Sequence, residues 1–329
     1  MPCAAARDWH NHFMRTLLKT LAGLAILLIL GADGFVAANW APDKSVAELS
    51  ARWAQPPSQF VRIEGMNVHL RDEGPRGDPT PIVLIHGTSS NLHTWDAWAS
   101  ALVPAHRVIR MDLPGFGLTG PAPDGDYTPP RYARFILDVL DNRGVKHVIL
   151  AGNSLGGGIA WMTAATEPGR VAKLILLDAA GYPTAPASVP LGFRIAQNPW
   201  LRPILRHILP RSMVAASLRN VYADPSRVTP GLIDQYYDMT LREGNREALG
   251  QRMTQGRFDL YADKIAGITQ PTLILWGAED HLIPPANAVR FKADIKGSLL
   301  TILPHLGHVP MEEGPAVSLA AVTGFIGQP

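Results

Sequence analysis

Ser154 stands at the centre of Gly152-Asn153-Ser154-Leu155-Gly156, a G-x-S-x-G pentapeptide that follows the apolar run Val148-Ile149-Leu150-Ala151 and precedes a helix-like stretch, Ile159-Ala160-Trp161-Met162. An unbroken apolar run of this length reads as a parallel strand covered on both faces, so the pentapeptide is expected to be a sharp strand-to-helix turn. Such a turn needs small residues two before and two after the serine, and it lifts the hydroxyl to the mouth of the sheet. The chemistry this suits is nucleophilic attack. A serine hydroxyl is a weak nucleophile at neutral pH and requires a base in hydrogen-bond reach, itself oriented by a carboxylate. Two downstream loops offer these groups: Trp276-Gly277-Ala278-Glu279-Asp280 after one apolar run, and Pro304-His305-Leu306-Gly307-His308-Val309-Pro310 after another. His308 is the expected base, with His305 the weaker candidate, because Gly307 and the loop position set His308 apart from an ordinary solvated histidine. Asp280 is the expected orienting acid. Glu279 reads as its solvated neighbour, and Asp178, after Leu174–Leu177, is the alternative acid. Acyl transfer also needs N–H donors for the developing oxyanion. The backbone of Leu155, next to the serine, supplies one; Thr88, in the small polar stretch His86-Gly87-Thr88-Ser89-Ser90-Asn91, is placed to supply the other. His86 reads as a support for that loop.

Positioning these groups is the work of an alternating strand and helix pattern. Short apolar strands are expected at 81–85, 107–111, 148–151, 174–177, 272–275 and 299–303, with helical stretches between them. An alternating hairpin precedes them, Phe60–Ile63 and Val68–Arg71 about a turn at Glu64–Asn67. The fold class is therefore α/β, a mostly parallel doubly wound sheet with an antiparallel start. Both candidate loops then leave the carboxyl ends of strands, the edge where open α/β sheets place ligands. From 182 to 264 the alternation stops, and apolar residues such as Trp200, Leu201, Leu205, Leu209, Met213, Leu218, Tyr236 and Met239 recur at helical spacing among prolines. So long a segment reads as a helical cap inserted between two core parts, 59–181 and 265–329, and its aromatic and methionine positions read as packing.

The 329 residues are 47% hydrophobic with a formal charge of +2. That balance supports a sizeable core and offers neither a basic stripe for nucleic acid nor an acidic tail. Cys3 is the single cysteine, so neither a disulfide nor a thiolate metal site is expected in the folded part. Arg7, Arg15 and Lys19 precede the apolar run Leu21–Leu30, which extends to membrane-spanning length only by including Lys19 and Asp33. Residues 1–38 read as an uncleaved signal-anchor, with a cleaved signal peptide ending near Val36-Ala37-Ala38 as the alternative and a buried helix of a cytosolic protein as the third reading. In the first two, positive charge before the run keeps the N-terminus cytoplasmic and exports the remainder. Residues 39–58 read as a linker with a short helix over 43–54, since Val46, Leu49 and Trp53 share one helical face.

Taken with His86-Gly87, Asp112-Leu113-Pro114-Gly115-Phe116-Gly117-Leu118-Thr119-Gly120 and Gly307-His308-Val309-Pro310-Met311-Glu312-Glu313, the elbow at Ser154 makes residues 59–327 resemble the α/β-hydrolase fold superfamily. The resemblance implies Ser154 as nucleophile, Asp280 as acid, His308 as base, Thr88 and Leu155 as oxyanion donors, and no cofactor or metal. Thr119 stands where the family often has serine. Serine at 154 argues against the chemistry of haloalkane dehalogenases and epoxide hydrolases, which form their covalent ester on a carboxylate. Asn153 resembles the carbon–carbon bond hydrolases of ring-fission products. Thr88-Ser89-Ser90 and Val309 depart from that branch and favour hydrolysis of a fairly apolar carboxylic ester. Thioesterase and haloperoxidase-like members share the same residues, and a non-catalytic binding protein on this fold is the rival from another class.

Overall fold

The computed structural model describes residues 3–198, 200, 203 and 206–327. Leu201 and Leu205 of the expected cap, and the outermost residues of the first and last segments (1–2 and 328–329), lie outside the described residues. Eight strands form one sheet in the order β1-β2-β4-β3-β5-β6-β7-β8. β1 (Gln59–Ile63) and β2 (Met66–Glu73) pair antiparallel, and β2 pairs antiparallel with β4 (Val108–Met111). From β4 onward every pairing is parallel, through β3 (Ile82–Ile85), β5 (Val148–Asn153), β6 (Val171–Leu177), β7 (Thr272–Gly277) and β8 (Leu299–Leu303). The central strands β3, β5 and β7 are buried at every residue, which is why their sequences are unbroken apolar runs. Helices α4 (Pro129–Asn142) and α5 (Leu155–Thr166) belong to one buried cluster, and α3 (Asp96–Leu102) with the C-terminal α12 (Pro315–Ile326) to the other, so the core is divided by the sheet. Trp95, Trp98, Trp161 and Trp276 are fully buried in these two layers. Each large apolar side chain so placed contributes about 1.5–3 kcal/mol.

Between β6 and β7 the described residues form helices and no strand: α6 (Leu191–Gln197), α7 (Arg211–Val221), α8 (Pro230–Leu241) and α9 (Asn245–Gln255), followed by a 3₁₀ stretch, Phe258–Gly267. The hairpin turn is tighter than expected. Glu64 and Gly65 both take positive φ, +48° and +82°, so the pairing closes directly at Ile63 and Met66. Two positive φ values match the twist of the strands, and Met66 and Asn67 are thereby drawn into β2.

The first helix, α1 (Cys3–Ala38), is continuous through Lys19 and Asp33. Its portion His12–Ala38 is long and apolar enough to cross a membrane, and none of its most apolar window is buried against the protein. At 1.5 Å per residue these 27 residues extend roughly 40 Å. The following segment is docked rather than free. Ser45 caps α2 (Val46–Trp53) by accepting from Glu48 N–H, and Leu49 is buried with Leu118 and Met239. Lys44 Nζ and Trp53 Nε1 each donate to Asp238 at 2.9 Å, and Ala41 N–H donates to His207 O, so this stretch is fastened to the helical insertion. The sequence pattern predicted the short helix, but only contacts distant in the chain convert the expected linker into a strut.

Candidate active site

Strand register sets the site. Ile85 pairs with Gly152, Asn153 with Leu177, Leu177 with Leu275, and Gly277 with Leu303. The loops carrying Thr88, Ser154, Asp178, Asp280 and His308 therefore all leave the same edge of the sheet. Ser154 takes φ +55° and ψ −116° between β5 and α5, a conformation disfavoured for any residue with a side chain. Its main chain is held by Ser154 N–H donating to Leu177 O and by Gly158 and Ala180 N–H donating to Ser154 O. The turn is as tight as the pentapeptide implied: a Cβ on Gly152 would lie 2.1 Å from Gly156 O, and one on Gly156 would lie 2.1 Å from Ile85 O.

His308 and Asp280 meet at 2.7 Å through Nδ1 and Oδ2, with both side chains buried. Asp280 Oδ1 accepts from Leu282 and Ile283 N–H, which fixes the carboxylate in place. The pairing leaves Nε2 as the free nitrogen of His308, whose ring lines the same cavity as Ser154. Ser154 Oγ and His308 both border this cavity without a hydrogen bond between them. Asn153, singled out above as a clue to substrate, has a structural task. Its Nδ2 donates to His308 O at 2.8 Å and more weakly to Leu177 O, bolting the histidine loop to the elbow.

Thr88 lines the cavity beside Ser154, and its amide donates to no main-chain group among the described residues. Leu155 is the first residue of α5, so its N–H is one of the donors a helix start leaves unpaired. His86 lies behind them: Nδ1 meets Gly87 O at 2.7 Å while Nε2 accepts from Leu113 N–H. Complete burial holds this imidazole below its ordinary pKa, which keeps it neutral in that bridging role. His305 is 92% exposed and pairs with Glu279 at 3.4 Å, away from the buried pair, so neither joins the site.

Asp178 does not contact the imidazole nitrogen that Asp280 holds, yet one oxygen or nitrogen from each of Asp178, Asp280 and His308 lies within 4.8 Å of the others. Its Oδ1 accepts from Gly277 N–H at 2.9 Å. Burial, and then the charge of Asp280, raise the Asp178 carboxyl well above the usual carboxylate range. The neutral form of Asp178 is thereby favoured beside Asp280. Sequence reasoning also missed a buried polar latch. Tyr236 of α8 accepts from Ser90 Oγ (3.0 Å) and donates to Glu312, to which Tyr222 OH also donates at 3.0 Å. Burial raises the Glu312 carboxyl. These residues join the insertion to the Thr88 loop and to α11 (Pro310–Glu313); Tyr236 had read only as packing, and nothing in its spacing signalled the partners.

Leu209, Met213, Val214, Leu218 and Leu249 of the insertion face Ser154, His308 and Val309 of the sheet edge. A family model described as alpha/beta hydrolase fold matches residues 80–315. This chain belongs to the alpha/beta hydrolase fold family. The hydrolase is 27% identical over 284 residues to a 2-hydroxy-6-oxononadienedioate/2-hydroxy-6-oxononatrienedioate hydrolase of Cupriavidus pinatubonensis, a match covering 82% of this chain and 95% of that one. Among solved structures, a meta-cleavage product hydrolase from Pseudomonas fluorescens IP01 shares its fold with a TM-score of 0.71 at 23% identity, over 84% of this chain and 98% of the other. A membrane phospholipase A shares it with a TM-score of 0.70 at 24% identity. That match spans 97% of this chain and all of the other, so it takes in most of the N-terminal helix as well.

Proposed function

We propose that this hydrolase is anchored by α1 and cleaves a fairly apolar carboxylic ester through an acyl-serine intermediate. The observation that carries the reading is the His308–Asp280 pair on the wall of an apolar cavity that also exposes Ser154 on its strained turn. In the reaction, Ser154 Oγ attacks the ester carbonyl while His308 Nε2 takes its proton. Asp280 holds the imidazolium through Nδ1–H. The oxyanion is received by the N–H groups of Thr88 and Leu155, the alcohol leaves with the proton from His308, and a water activated by the same nitrogen releases the acid. No cofactor or metal enters this scheme.

The helices of 182–264 act as a cap that shapes the acyl site. Because residues 39–58 fasten α1 to that cap, the cavity is held near the bilayer, which suits a lipid ester; the resemblance to a membrane phospholipase A over the helix is consistent with this. Arg7, Arg15 and Lys19 ahead of the apolar stretch orient the N-terminus to the cytoplasm and the hydrolase body to the exported side. A second reading, hydrolysis of a carbon–carbon bond in a ring-fission product, is favoured by the name of the Cupriavidus relative. Asn153 lines the cavity as well, with its Nδ2 engaged by His308 O.

A fluorophosphonate probe applied to the full chain in detergent is expected to label Ser154 and to fail on Ser154→Ala; folded protein that takes no label would replace the hydrolase reading with that of a binding protein. A panel of p-nitrophenyl acyl esters run against a vinylogous 1,5-diketone separates the two reactions. Turnover of the diketone and of none of the esters would overturn the ester reading.

A further inference from the structure

The cavity wall carries one group that ester hydrolysis itself does not use. Arg246, in the first turn of α9, lines the cavity alongside Leu249 of the same helix. Its side chain is only 5% exposed. Nη2 is paired with Asp43, on the half-exposed segment between α1 and α2, while Nε and Nη1 are buried without a hydrogen-bond partner among the described residues. Arg242 and Arg252 also leave Nε unpartnered, but neither lines this cavity. Among the described residues no Asp or Glu lines it, and no other Lys or Arg does. A guanidinium keeps its charge at any working pH and presents planar N–H donors suited to carboxylate and phosphate oxygens. Two of its nitrogens left buried and unpartnered beside an apolar cavity are costly unless a ligand brings acceptors to them.

We infer that Arg246 is an anion-binding subsite of the cavity, and that the substrate is an acyl compound carrying a carboxylate or phosphate whose oxygens meet Nε and Nη1 while its scissile carbonyl lies at Ser154. The inference rests on the hydrolase reading above and narrows its substrate class. Asp43 is the competing carboxylate: it steadies the guanidinium through Nη2 and weakens its hold on an incoming anion.

The test uses the full chain in detergent and two matched substrate pairs: p-nitrophenyl hexanoate with mono-p-nitrophenyl adipate, and 1-oleoylglycerol with 1-oleoylglycerol 3-phosphate. The first pair adds a carboxylate at the acyl end, the second a phosphate on the alcohol side. In at least one pair, the charged-to-neutral ratio of kcat/KM is expected to fall about tenfold or more in Arg246→Gln, the loss of a charge-assisted hydrogen bond. The same ratio is expected to rise at least about twofold in Asp43→Asn, which keeps the arginine and serves where the first variant folds poorly. Ratios unchanged in both variants for both pairs overturn the subsite. If the wild-type chain hydrolyses none of the four esters, the ester reading fails, and the subsite is judged separately by calorimetric titration of Ser154→Ala with adipate and with 1-oleoylglycerol 3-phosphate. Binding of either that weakens about tenfold on adding Arg246→Gln sustains it; no binding, or binding indifferent to Arg246, overturns it.

Discussion

Two buried histidine–aspartate pairs occur in this molecule with almost the same geometry, His308–Asp280 at 2.7 Å and His69–Asp112 at 2.8 Å. They differ in what is left over. In the second pair everything is engaged: His69 Nε2 meets Ser58 Oγ, Asp112 Oδ1 accepts from Leu92 N–H, and Oδ2 accepts from Leu118 N–H as well as the imidazole. Burial alone would raise Asp112, but His69, then His86 and the Leu92 N–H, outweigh it and bring the carboxyl down to about 2. In the first pair the carboxylate is equally well held, yet the far imidazole nitrogen has no protein partner among the described residues and borders the cavity with Ser154. A buried His–Asp pair is thus not a catalytic sign in itself; an unspent nitrogen bordering a cavity shared with a serine is what the proposed reaction requires.

Breaking the two pairs should separate chemistry from stability. The largest effect is expected from Ser154→Ala, with kcat for an ester substrate falling roughly 10⁴-fold or more. Asp280→Asn should follow with a loss of about 10³–10⁴-fold in kcat, because the imidazole loses its orientation and its counter-charge. A fall of less than about tenfold would mean that Asp178 replaces it. Asp112→Asn should act on the fold instead, lowering unfolding free energy by about 3 kcal/mol in denaturant titration, since it leaves a buried partner uncompensated. Activity per folded molecule should change only a few-fold. The Asp112 pair also has a pH signature. A carboxyl depressed from 3.8 to about 2 contributes stability that is fully present above the unfolded value and is lost as pH falls through the folded one. About 2 kcal/mol should therefore disappear between roughly pH 4 and pH 2 in the wild type and be absent from Asp112→Asn. The smallest effect concerns Asp178, whose carboxyl is raised. Its stability contribution is present below the unfolded value and declines as pH rises, so the stability of Asp178→Asn relative to wild type should improve from mildly acidic to alkaline pH in thermal unfolding scans. No such drift would mean that Asp178 is ionised beside Asp280.

The elbow was legible in the sequence because its demands are local. Gly152 and Gly156 flank a turn in which a single added carbon would meet backbone, and the strand before it is apolar because both faces are covered. The carboxyl-edge loops were legible for a related reason, since an alternating strand and helix pattern places every such loop on one side of a parallel sheet. The polar partners of the insertion were not. Tyr236 and Glu312 are 76 residues apart, and a tyrosine at helical spacing looks the same whether it packs or donates. Nor did periodicity reveal that Asp112 is committed to His69, a partner 43 residues upstream, or that Asn153 is spent on His308.

By itself the sequence determined the parallel sheet, the turn that strains Ser154, and the apolar N-terminal stretch, because each follows from residue size, periodicity and hydropathy within a short window. Only the tertiary structure decided which histidine keeps a free nitrogen, which carboxyl is raised, and which arginine keeps unpartnered nitrogens beside a cavity. Those outcomes depend on burial and on hydrogen-bond partners brought from distant segments, and a side chain's chemistry is set by what remains unsatisfied once the chain has closed around it.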